Sequence, residues 1–346
     1  MEKTASIRRA AFRLTQRCSI QCRHCVYGGG PSRQQATDMA ISALQGWMDQ
    51  AAEAGIREFC FTGGEPFLVH AALRQATGKA VALGARAGVI TNAFWAVNAP
   101  TARRTLEPLH GLHELAISAD RFHQEHIPLE RVRHAIVAAR AVGIPPRVKI
   151  TYTDSNEIQA LQDALDNVLS PDEIDAEPVR RVGRMAESLI ALPHIENLEG
   201  GCALTRAPTV ETSGRVCGCC GPLLALNDHP LWLGDLREAT LSQILSQAEF
   251  NVLYQFVRVC GPQALHRLIA PELDGAAFDE SSSCSLCCGL FSDPRAACLL
   301  AARACELELF RRVAVERLLC FNEAVMLAHL PHASPAAGLP NGASSP

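Results

Sequence analysis

The sequence has no run of basic residues, no apolar stretch of membrane-spanning length and no internal repeat. Its formal charge is only −4 over 346 residues. Without clustered Lys and Arg there is no footprint for a nucleic-acid backbone. Charges interrupt every apolar run before the roughly 20 residues that cross a bilayer. The N-terminal Met1-Glu2-Lys3-Thr4-Ala5 lacks the apolar centre of a secretory signal. These absences lead us to expect a soluble, cytoplasmic protein with neither nucleic acid nor membrane among its partners. A chain of this length can bury a large core, as one big domain or two ordinary ones.

Cysteine, by contrast, is abundant, with fifteen residues. In a reducing compartment they read as metal ligands and buried thiols, not as a disulfide framework. The first three, Cys18, Cys22 and Cys25, stand in the spacing C-x3-C-x2-C. Three thiolates can hold three irons of a [4Fe–4S] cube, which usually takes four, so one iron stays open. Zinc is the alternative for such a triad, with His24 as a fourth ligand. Phe12-Arg13-Leu14-Thr15 reads as a strand end just before the triad. Gly63-Gly64-Glu65-Pro66 closes a second strand, Glu58-Phe59-Cys60-Phe61-Thr62. Both motifs thus fall at C-terminal strand ends, where α/β barrels place their chemistry.

Apolar runs give six candidate strands: Ala10–Leu14, Glu58–Thr62, Gly88–Thr91, Glu114–Ser118, Val148–Tyr152 and Ile174–Val179. Helical patterns lie between them. One is Asp38–Ala54, with Thr37 or Asp38 as N-cap and Gly55 as stop, and another is Leu129–Val142 before Gly143. The alternation predicts an α/β fold with a parallel sheet and helices outside. Composition changes near Pro193. Cysteines and Gly-rich turns then fill the stretch to Cys288, a helical pattern runs from Arg295 to His329, and the Pro/Gly/Ala/Ser-rich end reads as disordered. The expected division is a core at 1–192, a Cys-rich domain at 193–292, a helical segment at 293–330 and a tail at 331–346.

The triad together with Gly-Gly-Glu-Pro resembles the radical S-adenosylmethionine (radical SAM) superfamily. The resemblance implies an open partial (β/α)6 TIM-like barrel, with Cys18, Cys22 and Cys25 on a cluster whose open iron chelates SAM. It implies that Glu65 accepts from the SAM ammonium and that Gly63, Gly64 and Pro66 shape the approach. His24 takes the place of an aromatic residue whose backbone faces adenine. Tyr27 packs on the loop or touches adenine. Val89–Asn92 resembles the third-strand segment. Ser118 and Asp120 are candidates for the ribose, or else caps of a strand end. Arg184, in a sixth-strand segment, meets a carboxylate or is a surface residue. Lys149 and Tyr152 point opposite ways on the fifth strand, so one faces the cavity. His123 and His126 read as solvent-facing, with zinc the alternative.

Cys202, Gly214 and Cys219, then Leu233-Gly234-Asp235-Leu236, resemble the opening of the SPASM or twitch extensions of that superfamily. The resemblance assigns Cys202, Cys219, Cys284 and Cys287 to one auxiliary [4Fe–4S] cluster, with Cys217 as competitor for Cys219 and structural zinc as the alternative. The chain lacks the further cysteines of a complete SPASM pattern, so a single-cluster, twitch-like extension fits. Cys60, within the second strand, reads as core. Cys298 and Cys305, spaced by seven, read as buried thiols on one helix face, with Cys320 on the same helical pattern.

The implied activity is reductive cleavage of SAM to a 5′-deoxyadenosyl radical that takes a hydrogen atom from substrate. The substrate is expected to be a ribosomally made peptide, oxidised or cross-linked with help from the auxiliary cluster. A small-molecule metabolite is the alternative, and a non-catalytic iron–sulfur carrier the alternative of another class. Few residues precede the first strand, so an N-terminal peptide-binding domain is not expected, which removes one argument for a peptide; a separate recognition protein could present the leader. The resemblance also implies a reductant such as flavodoxin or ferredoxin.

Overall fold

A computed structural model describes residues 7–31, 36–109, 111–188, 190–192 and 198–330. The expected tail at 331–346, the start Met1–Ala5 and the composition change at Pro193 lie outside them. All six expected strands are present, each end within two residues of expectation. They are β1 (Arg9–Thr15), β2 (Glu58–Gly63), β3 (Arg86–Thr91), β4 (Leu112–Ser118), β5 (Pro146–Tyr152) and β6 (Ile174–Pro178). They pair in parallel and in chain order. Parallel neighbours need long crossovers, supplied by α1 (Ile41–Glu53), α2 (His70–Ala82), α3 (Ala99–Leu106), α4 (Arg121–Gln124), α5 (Leu129–Ala141) and α6 (Asn156–Leu165).

Beyond residue 198 the chain returns to the same sheet. Strand β7 (Thr209–Val210) pairs in parallel with the free side of β1, and β8 (Arg215–Cys217) and β9 (Trp232–Asp235) follow antiparallel. The result is a nine-stranded, mostly parallel sheet in which β1 lies between β2 and β7. Helices α7 (Leu241–Ala248), α8 (Val252–Val259), α9 (Gly261–Ile269), α10 (Ser283–Ser292), α11 (Pro294–Ala304) and α12 (Leu307–Phe321) complete the C-terminal part. No single helix among the described residues is long and apolar enough to cross a membrane.

The strands show two chemically different faces. Phe12, Leu14, Phe59 and Phe61 are buried in the main core, with Leu44 and Met48 of α1. The opposite face carries one charged residue near the start of each strand, alternating in sign: Arg9, Glu58, Arg86, Glu114, Arg147 and Asp175. Arg9 pairs with Glu58 at 2.7 Å, and Arg147 pairs with Asp175. Cys60 lies on this polar face and outside the core cluster, near enough to feel Arg9, Lys149 and Glu114. The core reading of Cys60 is therefore corrected: the period of two turns it away from Phe59 and Phe61.

Two helix expectations also change. Helix α1 begins at Ile41 with Ala40 as an N-cap that makes no side-chain bond. Asp38 is instead bridged to Thr15, accepting from its hydroxyl at 2.6 Å and from Arg17 at 2.6 Å. Gly55, at φ 89°, stops the helix as expected. The Arg295–His329 pattern is broken at Cys305-Glu306. Cys298, Cys305 and Cys320 are exposed, because the buried positions of these helices are Ala296, Leu300, Leu309, Val313, Ala314 and Arg317. Arg317 bonds Glu249 and, at 2.6 Å, Glu323, tying α12 to the body.

Candidate active site

The loop after β1 carries the three N-terminal cysteines, and the turn after β2 clamps it. Gly64 N donates to Thr15 O at 2.8 Å and Glu65 N to Arg17 O at 2.8 Å. A Cβ on Gly63 would stand 2.5 Å from Thr15 O, and one on Gly64 only 2.1 Å from Arg17 O. The glycines thus let two backbone segments touch each other, where the sequence had suggested an approach to cofactor. From the far side, Gly183 at φ 57° brings Arg184 against the loop. Arg184 Nε donates to Cys22 O at 2.8 Å and Nη1 to Gly29 O at 2.7 Å. Its buried Nη2 has no hydrogen-bond partner among the described residues.

Cys18, Cys22, Cys25 and Glu65 line one cavity at the C-terminal ends of the strands. Burial pushes the Cys18 thiol up to about 11, with Glu65 and Cys25 adding to it. Burial pushes Cys22 higher still, with Cys18 and Cys25 as the next causes. Buried thiols crowded in this way shed their protons readily only to a metal.

Glu65 is completely buried. Its carboxylate accepts from Thr91 Oγ1 at 2.8 Å, Asn92 N at 2.7 Å and Phe67 N at 3.1 Å. Pro66 opens the 3-10 turn that presents Phe67 N. Burial raises the Glu65 pKa to about 7, with those hydrogen bonds opposing. A carboxylate offers about four acceptor sites, so room for one more donor remains. Asn92 Nδ2 meanwhile donates to Ser19 Oγ at 3.1 Å and lies 3.8 Å from Cys18 Sγ. Thr91 and Asn92 therefore join the glutamate to the cysteine loop. The sequence placed them at a third-strand end without giving them this work; polar residues directly after the apolar run Val89-Ile90 were the available signal.

Ser118 and Asp120, at the end of β4, line the same cavity. Asp120 caps α4, accepting from Phe122 N at 3.0 Å and His123 N at 3.1 Å. Its Oδ2 lies 2.8 Å from His123 Nδ1 and 3.4 Å from His24 Nε2. Burial pushes the Asp120 carboxyl up, but His123 and His24 outweigh it and hold the group well below the usual carboxylate range. His24 stacks on Phe122, with ring centres 4.7 Å apart. His126 is exposed, as expected, whereas His123 is half-buried and faces the cavity. The solvent-facing reading of His123 is corrected, because its bond to Asp120 turns the ring inward.

Lys149 lines the cavity and Tyr152 does not. Lys149 Nζ lies 3.6 Å from Asp175. Arg180, also lining it, pairs with Glu177 at 2.5 Å and stands close enough to Cys284 and Cys202 to feel both. Tyr27 both packs and lines: its hydroxyl donates to Cys220 O at 2.7 Å while Arg13 sits 4.8 Å above its ring.

The second cysteine group lies beyond that tyrosine. Cys217, Cys219, Cys284 and Cys287 are buried and Cys202 is half-buried. Burial drives Cys219 and Cys287 well above the ordinary thiol range, and each also feels Cys202 and Cys217. Cys284, raised to about 11 by burial, feels Cys202 as well. No three of these sulfurs stand within 4.8 Å of one another.

Residues 7–114 match the family model described as a 4Fe-4S single cluster domain. The chain is similar to the putative peptide biosynthesis protein YydG of Bacillus subtilis (strain 168), with 22% identity over 307 residues, 84% of this chain and 92% of that protein. Among solved structures it is similar to BtrN in complex with AdoMet and 2-DOIA, at 14% identity and TM-score 0.44, covering 73% of this chain and 87% of that one. It is also similar to the radical SAM methyltransferase TsrM from Kitasatospora setae with tryptophan and a SAM analogue, at 15% identity and TM-score 0.42, covering 70% and 46%. The cysteine loop and the glutamate turn that clamps it both fall within the residues that the 4Fe-4S cluster model matches.

Proposed function

We propose that this chain is a radical SAM enzyme, with a [4Fe–4S] cluster and S-adenosylmethionine as its cofactors, that modifies a peptide by abstracting a hydrogen atom from it, on a partial (β/α)6 barrel extended by a twitch-like auxiliary-cluster region. The supporting observation is the bonded unit of Glu65, Asn92 and the cysteine loop, opening on one cavity. Cys18, Cys22 and Cys25 hold the cluster, and their count leaves one iron for SAM. When bound, the cluster and SAM together supply a 5′-deoxyadenosyl radical. Glu65 accepts from the SAM ammonium at its remaining acceptor site. Ser118 faces the ribose, while Asp120 is occupied by the α4 cap and the two histidines and acts by holding His24 in place. Arg184 holds the cysteine loop and turns Nη2 to a cofactor carboxylate.

Cys202, Cys219, Cys284 and Cys287 hold the auxiliary cluster, with Cys217 as the competing ligand for Cys219. Peptide as substrate rests on the similarity to YydG. A carrier protein would have no use for a buried, raised-pKa Glu65.

Anaerobically reconstituted protein reduced with dithionite should convert SAM to 5′-deoxyadenosine and methionine, and Cys22→Ala should abolish this. Candidate precursor peptides should then change mass; unchanged mass across a broad panel, with SAM still cleaved, would turn the reading to a small-molecule substrate. Absence of SAM cleavage would end it altogether.

A further inference from the structure

One grouping of ligand atoms shares Cys22 with the proposed iron–sulfur site but as a group serves no step of the proposed chemistry. Cys22, His24 and His123 each bring a metal-ligating atom to within 4.8 Å of the others, the sole such group among the described residues. Asp120 already holds one nitrogen of each imidazole, His123 Nδ1 at 2.8 Å and His24 Nε2 at 3.4 Å. This leaves Nε2 of His123 and Nδ1 of His24 as the free positions. His24 Nδ1 is buried without a hydrogen-bond partner among the described residues. A buried ring nitrogen without a partner is costly. A carboxylate that fixes the far nitrogen of metal-binding histidines is the usual outer support of a zinc site.

We propose that in the cluster-free protein Cys22, His24 and His123 bind one zinc ion, with Asp120 orienting both rings and a fourth position open to the cavity. Ligand atoms on tetrahedral zinc stand about 3.3–3.8 Å apart, so a group already within 4.8 Å needs to contract by at most about 1.5 Å on binding. Cys22 belongs both to this site and to the three-thiolate loop, so zinc and the iron–sulfur cluster exclude each other. The site thereby makes cluster assembly sensitive to free zinc. This inference does not depend on the identity of the peptide or on SAM cleavage.

The test uses full-length protein, iron-free and reduced, titrated with Co2+ as a spectroscopic stand-in and with Zn2+ against a chromophoric chelator. Cysteines of the second group also take these ions, so the reading is the difference between variants. Wild type should bind one equivalent more than His123→Ala and His24→Phe, the latter keeping the stack on Phe122. Cys18→Ser and Cys25→Ser should retain that equivalent. Asp120→Asn, which keeps an oxygen for the α4 cap, should weaken it about 10–100-fold. Zinc-treated wild type should then rebuild its N-terminal cluster more slowly than zinc-treated His123→Ala. Equal stoichiometry in wild type, His123→Ala and His24→Phe would overturn the proposal. So would equal losses in Cys18→Ser and Cys25→Ser, which would place the ion on the three thiolates.

Discussion

At the scale of single residues, Glu65 carries the most physical information. Its pKa near 7 means that burial destabilises the carboxylate form despite three hydrogen bonds. A SAM ammonium recovers part of that cost only when the group is ionised. Below pH about 7 the carboxylate fraction falls, so SAM affinity should drop by up to tenfold per pH unit, while at higher pH the Glu65 contribution is constant and any further change belongs to the α-amino group of SAM, which titrates near 8. Calorimetry of cluster-loaded protein in buffers of different ionisation enthalpy should show protons released on SAM binding at pH 6.5; no release would place the ammonium elsewhere. The sign for folding is opposite. Folded Glu65 binds its proton up to about pH 7 and the unfolded group only to its ordinary value near 4.5. Its contribution is therefore fully present below 4.5 and lost as pH rises through 7. Gly64 is as strictly determined, by contact and not by charge. Gly64→Ala should cost about 3 kcal/mol or more, through the clash with Arg17 O, and should lower iron content at the N-terminal site together with Tm.

At the scale of elements, the parallel strands were readable because each is a short apolar run bounded by turn residues. The helices were readable where glycine stops them, as at Gly55 and Gly143. The start of α1 was not, because Asp38 has a better partner in Thr15 and Arg17 than in a helix end. Nor could the sequence say which way Cys60 or Cys298 faces, since a period fixes that two residues share a side without naming the side. The thiols of α11 and α12 consequently make a sharp contrast with those of α10. Cys298→Ser, Cys305→Ser and Cys320→Ser should each leave stability within about 0.5 kcal/mol and leave iron unchanged. Cys287→Ser should remove about four irons, the content of one cube, as measured by iron analysis and the visible spectrum. The Cys22–His24–His123 grouping was also hidden, because it joins a loop after β1 to a helix after β4 through a carboxylate that sequence alone would give to the ribose or a cap.

At the scale of the whole molecule, the expected boundary at residue 192 does not interrupt the sheet, since β7 pairs with β1 at Ala11↔Thr209 and Phe12↔Val210. Arg13 and Glu211, almost fully buried, form an ion pair at 3.2 Å across the same junction. A fragment ending at residue 192 leaves β1 as an unpaired edge and Arg13 without its partner. Such a fragment should aggregate, whereas simple independent domains would leave it soluble and monomeric in sedimentation. Removing the Arg317 side chain should also act globally. Arg317→Ala removes the guanidinium that joins Glu249 to Glu323, while Glu323 keeps Arg258 at 2.8 Å, and should cost about 1.5–3 kcal/mol, seen as a fall in the denaturant midpoint with iron still bound.

The double pairing of β1 has a consequence for synthesis on the ribosome. Ala11 and its partner Thr209 are separated by nearly two hundred residues of chain. At about 5–20 residues per second, roughly 10–40 seconds pass between the translation of one and the other. For that interval the nascent polypeptide carries a sticky, half-saturated ribbon beside its first three sulfur donors, and the Cys220 carbonyl that anchors Tyr27 has not yet been made. Iron delivered before residue 220 is made would meet an unfinished cradle, so loading belongs after that point.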